Sequence, residues 1–267
     1  MSPTTSPSFR VRFGITLLAG LPGIVALVGY VFLASPPESV PPGLSRATLA
    51  LLSGVTPLLL LAVACLIGAY AAPRAGLRSH LLDRADGAIG ALGRLRPEVG
   101  LAVAVGIVGS LLVIALDVAL APLVARDLPR SAIGAARPTV ADVLAYAPVR
   151  FFYGGITEEL LLRFGLMSAL ALGGWALVGR RGETPGPRIM WAAIGVSAVL
   201  FGVGHLPALA GSVGLTPALV ARTVLLNAVA GVAFGWLYWR RSLEAAMVAH
   251  AAFHVPLVAL SLVQVAL

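Results

Sequence analysis

The sequence predicts an all-α, multi-spanning transmembrane helical bundle of about seven to eight membrane helices. Composition is the first ground: 59% of residues are hydrophobic and only 11% charged, with a mean hydropathy of +0.96, whereas soluble domains carry about 25% charged residues. The second is that the apolar residues gather in runs of the roughly 20 residues a crossing requires. The third is that all 19 basic residues are arginine and lie mainly in short segments between these runs, the pattern that insertion topology leaves. Spans of that length use up residues 1–267 as a single membrane domain.

Each element follows in order. Phe13–Ala34 comes after Arg10 and Arg12 and exceeds the roughly 7–15-residue apolar core of a secretory signal, so it reads as an uncleaved first span. Ser35–Gly43 is a proline-rich loop, and Ala47–Ala72 is the second span. The stretch from Pro73 to Glu98 (73–98) holds five arginines and three acids and is expected to be a cytoplasmic connector with some amphipathic helix on the headgroups. Val99–Ala125 is the third span. Val140–Val178 is too long for one crossing at about 1.5 Å per residue. Pro148 and Gly154-Gly155 are placed to break it into a short entry helix and a main one, giving an eighth, partial or re-entrant element. Ile189–Ala210, Pro217–Trp239 and Leu243–Leu267 complete the series.

With the N-terminus cytoplasmic, Arg10, Arg12, Arg74, Arg78, Arg84, Arg94, Arg96, Arg180, Arg181, Arg188, Arg240 and Arg241 fall inside, against Arg46, Arg126, Arg130 and Arg137 outside. That bias sets the orientation and leaves the C-terminus outside. The net charge of +8 therefore addresses anionic lipid headgroups, and no nucleic-acid role is expected. Cys65 is the only cysteine and lies in an apolar run, which excludes a disulfide framework and a CxxC metal knuckle.

Polar residues inside the spans carry the chemistry. They are Asp117, Arg150, Glu158, Glu159, Arg163, His205, Arg222, Asn227, Glu244, His250 and His254. A charge at the bilayer centre costs roughly 2.5–3.5 kcal/mol on insertion scales, so such groups need partners or a use. On a helix Glu159 and Arg163 stand at i and i+4, where carboxylate and guanidinium pair, while Glu158 points about 100° away. The arginine thus neutralises one acid and leaves the other to face a polar cavity as a general base for water. An isolated pattern of this kind would serve equally as an ion-pair lock between two helices.

His205 closes Phe201-Gly202-Val203-Gly204-His205, whose glycines admit a backbone or substrate close to the imidazole; alone it would be a packing histidine bonded to a carbonyl. His250 and His254 are spaced i, i+4 on one helical face, where a pair can chelate a metal or donate two hydrogen bonds to an oxyanion. Three histidines and two glutamates on three separate spans suggest convergence in one site. Asp117 and Asn227 are expected to bond across helices, and Gly231 with Gly235 to form a small-xxx-small packing face. Arg240 and Arg241 should anchor a helix end, and Arg150 or Arg222 could contact a substrate carboxylate.

The order Glu158-Glu159-Leu160-Leu161-Leu162-Arg163, then Phe201-Gly202-Val203-Gly204-His205, then His250-Ala251-Ala252-Phe253-His254 resembles the CPBP intramembrane protease family. That family includes the type II CAAX prenyl proteases and bacterial bacteriocin-processing and bacteriocin-immunity proteins. The resemblance covers Ala141 to Pro256 (141–256), a motif-bearing catalytic core. It implies that Glu158 activates water, that His205 orients or relays the proton, and that Glu159 and Arg163 support the site. His250 and His254 would stabilise the oxyanion. The family usually has asparagine where this chain has His254; a histidine donates the same hydrogen bond only in the right tautomer or when protonated.

The family is often labelled metalloprotease, yet this sequence has no HExxH, and a glutamate–histidine site can activate water without metal. Glu158, His205, His250 and His254 could equally hold zinc with an open position, and spacing leaves both open. The expected function is intramembrane cleavage of a membrane-associated peptide or protein, CAAX-type or bacteriocin-type, in what the arginine-only, alanine-rich composition suggests is a bacterial cell membrane. A proton-coupled transporter using the same Glu/His cluster is the first rival, although no inverted repeat is evident; a non-catalytic immunity or scaffold protein is the second.

Overall fold

The computed structural model describes residues 9–35, 40–127, 139–179 and 182–267. Seven helical runs among them are long and apolar enough to cross a membrane: Phe9–Ala34, Arg46–Arg74, Gly93–Val124, Val140–Leu177, Pro187–Gly211, Pro217–Arg240 and Leu243–Ala266. No strand occurs among the described residues, and the fold is an all-α helical bundle. Arg130, Arg137, Arg180 and Arg181 of the arginine count, and residues 36–39 of the proline-rich loop, lie outside the described residues.

In chain order the helices are α1 (Phe9–Ala34), α2 (Arg46–Arg74), α3 (His80–Ala85), α4 (Arg96–Val124), α5 (Val140–Pro148), α6 (Ser168–Leu177), α7 (Pro187–Gly204), α8 (Leu206–Ser212), α9 (Pro217–Arg240) and α10 (Leu243–Ala266). Side-chain caps start several of them. The hydroxyls of Ser45, Ser79, Thr216 and Ser242 accept from backbone N–H groups three residues on, and Thr139 with Asp142 forms a capping box ahead of α5, satisfying donors that a helix start leaves unpaired.

The expected break at Pro148 and Gly154-Gly155 does not occur. α5 continues through two π-wound stretches, Val149–Glu158 and Leu160–Met167, into α6 as one helix. Proline cannot donate a backbone hydrogen bond, and a local change to π winding lets the helix continue instead of breaking. The additional partial helix lies elsewhere, in the short α8 that follows His205.

This central helix is enclosed on several sides. α1 packs on the first π stretch, α2 on the second, and α10 on the first from another side, while α7 pairs with α9 and α4 with α10. Glycines allow the close approaches. A Cβ on Gly165 would come within 2.6 Å of Ala64 Cβ, and one on Gly231 within 2.9 Å of Ala198 Cβ, so the Gly231–Gly235 face packs as small-xxx-small faces do. Thr157, fully buried, donates from Oγ1 to the Gly20 carbonyl at 2.8 Å and ties the first π stretch to α1.

The 73–98 stretch folds against the end of the bundle. Glu244, at the first turn of α10, accepts from Ser79 Oγ at 2.7 Å and from the backbone N–H of His80 and Leu81, both at 2.9 Å. Arg12 donates from Nε and Nη2 to Asp86 at 2.8 and 2.7 Å. Ser242 hydrogen-bonds Glu98, and Ser79, His80 and Leu82 are buried. Glu244, counted among candidate groups within a span, is thus used in a cap that joins α3 to α10.

Candidate active site

The first π stretch, the C-terminal end of α7 and the middle of α10 meet at one cavity of about 510 Å³, whose walls include Glu158, His205, His250 and His254. All four sequence-expected residues therefore share one space. π winding matters to this arrangement because its wider turn, with hydrogen bonds reaching five residues along, brings residues five apart toward one face. Tyr153 and Glu158 accordingly sit on the same wall.

Glu159 and Arg163 form the buried support. Arg163 Nη1 lies 3.2 Å from Glu159 Oε1, with both side chains fully buried. Arg163 Nη2 donates to the Gly231 carbonyl at 3.0 Å, and its guanidinium lies 5.0 and 5.5 Å from the ring centroids of Phe201 and Phe234. Arg163 Nε and Nη1 find no hydrogen-bond partner among the described residues, so the carboxylate, the carbonyl and the aromatic faces offset the loss of water only in part. Glu158 makes no hydrogen bond or arginine pair among the described residues and remains 19% exposed, toward the cavity.

His250 bridges the two acids. Its Nδ1 stands 2.8 Å from Glu159 Oε1, and its Nε2 lies 3.8 Å from Glu158 Oε2. The Glu159 contact fixes a tautomer in which Nδ1–H donates, so the role of Nε2 depends on whether it carries a second proton. The ring is stacked on Phe234 at 4.5 Å and on His254 at 5.1 Å. His254 Nδ1 is buried without a hydrogen-bond partner among the described residues. His205 Nδ1–H donates to the Phe201 carbonyl at 2.9 Å; its ring lies edge-on to Phe201 at 4.8 Å, which leaves Nε2 for the cavity.

Three contributors escaped the sequence reading. Gly154 is one: a Cβ there would stand 2.7 Å from His254 Nε2 and 3.6 Å from His250 Nε2, so only glycine lets both imidazoles close onto the π stretch. Tyr153 is another, and α-helical spacing would have turned it roughly 140° away from Glu158. The third is a neighbouring apolar groove of about 520 Å³, lined by Leu60, Leu161, Leu166, Gly204 and others, which meets the polar cavity at Tyr153, Glu158, Phe201 and His205. The proximity of Gly202 to the α9 backbone was legible as a close approach, and a Cβ there would be 2.7 Å from Val224 Cα.

Of the other polar groups, Asp117 bonds across helices, to Arg222. Asn227 does not: its Nδ2 donates to Thr223 O within its own helix at 2.8 Å. Zinc would require ligand atoms about 2.0–2.1 Å from one point, and among the described residues no three His, Cys, Asp or Glu side chains group closely enough to hold a metal ion. His250 keeps Nε2 open because only Nδ1 meets Glu159, but the described His, Cys, Asp and Glu side chains do not group in threes as a closed metal centre requires.

Residues 140–255, a little under half of the chain, match the family model described as type II CAAX prenyl endopeptidase Rce1-like. This segment is similar to the CPBP/CAAX protease family. All four cavity residues of the CAAX-protease segment lie within the match, as do Glu159 and Arg163. No curated protein and no solved structure matches the chain. The match indicates a peptidase of the CAAX type in general, and with seven apolar helices it identifies an integral membrane protein that acts where the bilayer is its surroundings.

Proposed function

We propose that this protein is an intramembrane endopeptidase that hydrolyses a peptide bond of a membrane-associated substrate with water activated by Glu158. The observation that carries the reading is the position of Glu158 and His205 where an apolar groove joins a polar cavity. A substrate's lipid-soluble part can occupy the groove while its scissile carbonyl reaches a wet, polar space, as polar groups at membrane depth require.

In the proposed reaction a Glu158 oxygen takes a proton from water as the water oxygen forms a bond to the carbonyl carbon. The carbonyl electron pair moves to oxygen, and the oxyanion accepts hydrogen bonds from His254 and from His250 when Nε2 carries a proton. Collapse restores the carbonyl and breaks the C–N bond. The proton held by Glu158, relayed by His205, passes to the leaving nitrogen. Glu159 and Arg163 act as positioning residues: they hold His250 by its Nδ1 while Arg163 offsets the Glu159 charge. The arginine distribution supports a cytoplasmic N-terminus, and the composition supports a bacterial cell membrane.

The test is cleavage of membrane-associated peptides, CAAX-type and bacteriocin-type, by the detergent-purified chain. Glu158→Ala should lower the rate by about 10²–10⁴-fold, the usual range for a general base, with a thermal unfolding midpoint close to wild type. A chelator should leave the rate unchanged. Equal rates in wild type and Glu158→Ala would refute the reading, no cleavage would favour a carrier or scaffold, and loss on chelation would restore the metal alternative.

A further inference from the structure

Two cations line the polar cavity, and they stand in different states. Arg222 on α9 is tied to Asp117 on α4 by an ion pair. Arg150, in the first π stretch, makes no ion pair among the described residues. Its guanidinium lies 5.3 Å from the centroid of the Tyr146 ring, and the side chain is half-buried on a wall shared with an adjoining depression. The acid lining that depression, Asp142, is occupied by the Thr139 N–H and hydroxyl, both at 2.7 Å. An unpaired cation within an apolar helix is costly to insert and persists where it is used.

We propose that Arg150 is the specificity-determining residue of the site, receiving a carboxylate of the substrate a few residues beyond the bond attacked at Glu158. This rests on the endopeptidase reading and deepens it. The guanidinium fork matches a carboxylate with two parallel N–H···O bonds, and in a partly desolvated cavity such a pair is strong and directional. Arg150 and Glu158 are eight positions apart in the π stretch, whose wider turn rises less than the roughly 1.5 Å per residue of an α-helix, so the gap along the axis is under about 12 Å and an extended peptide covers it in a few residues at about 3.3–3.6 Å each. The substrate is thereby oriented: its apolar part enters along the groove lined by Leu161 and Leu166, and its anionic end enters the cavity beside Arg150. A free C-terminus and an acidic side chain both supply such a carboxylate and share this chemistry.

The experiment uses the detergent-purified full chain and three fluorogenic peptides of one apolar sequence: a free C-terminal acid, its C-terminal amide, and the amide with aspartate as last residue. Wild type should cleave the acid with a kcat/KM at least about tenfold above the amide, mainly through KM, the scale of one charged hydrogen-bonded pair. In Arg150→Ala the ratio should fall toward one because the acid peptide slows, and Arg150→Lys, which keeps the charge but not the fork, should give an intermediate ratio. Recovery with the aspartate amide assigns an acidic side chain as the source; recovery only with the free acid assigns the α-carboxylate. Equal rates for all three peptides in wild type, or an undiminished preference in Arg150→Ala, would overturn the inference. Binding of the acid and amide peptides to Glu158→Gln protein separates the two claims. Arg150-dependent preference for the acid without cleavage by wild type would sink the protease reading and keep the carboxylate subsite; neither cleavage nor preference would sink both.

Discussion

Replacing Arg163 by methionine tests the buried support of the site. Arg163 is the largest fully buried side chain among the described residues, and methionine keeps much of its length while removing the charge and every donor. At 3.2 Å from Glu159, the ion pair corresponds to about 5 kcal/mol of attraction at an effective dielectric of 20. The bond to the Gly231 carbonyl at 3.0 Å contributes roughly 1.5–3 kcal/mol more as a charged hydrogen bond. Glu159 keeps its contact with His250, so part of its charge remains compensated. The expected net loss is about 3–5 kcal/mol, the usual cost of stranding one member of a buried pair.

Thermal unfolding in detergent reads this as a fall in midpoint of roughly 10 °C. The decisive arm is the double variant Glu159→Gln with Arg163→Met, which removes the stranded charge while keeping a group that can accept from His250. It should regain at least half of the lost stability without regaining cleavage, because His250 is then held only by a neutral partner. A double variant no more stable than Arg163→Met, or a single variant within about 1 kcal/mol of wild type, would refute the argument that charge compensation is what Arg163 supplies.

Other perturbations follow from contacts already described. Gly154→Ala places a Cβ 2.7 Å from His254 Nε2; steady-state cleavage should fall about tenfold, the scale of a small misplacement in a catalytic array, and adding His254→Asn, a shorter side chain, should recover part of it. Glu244→Ala strands three donors from the 73–98 stretch at a cost of about 3 kcal/mol, visible as a lower unfolding midpoint and faster proteolysis between residues 73 and 98. Gly231→Ala brings a Cβ to 2.9 Å from Ala198 Cβ and 3.3 Å from Arg163 Nη2, and should cost about 1–3 kcal/mol in overpacking, again measured by unfolding.

The seven spans were legible because a bilayer imposes a length and an apolar composition on each crossing, and both are written locally in the sequence. The Glu159–Arg163 pair was legible for a similar reason, since four residues along a helix bring two side chains together whatever surrounds them. The motif order also indicated that Glu158, His205, His250 and His254 belong together, and one cavity holds all four.

Tertiary structure alone decided how those groups face one another. Uniformly apolar spans fix length but barely constrain rotation about the helix axis, so the sequence does not say which acid His250 meets, that Arg222 is paired while Arg150 is not, or that Glu244 caps α3. The π winding from Val149 to Met167 is likewise not written in the apolar pattern: its hydrogen bonds reach five residues along in place of four, and the turn is wider than the α-helical 3.6 residues. That winding brings Tyr153 to the wall beside Glu158, a position that α-helical spacing turns away, while Gly154 lies under His254.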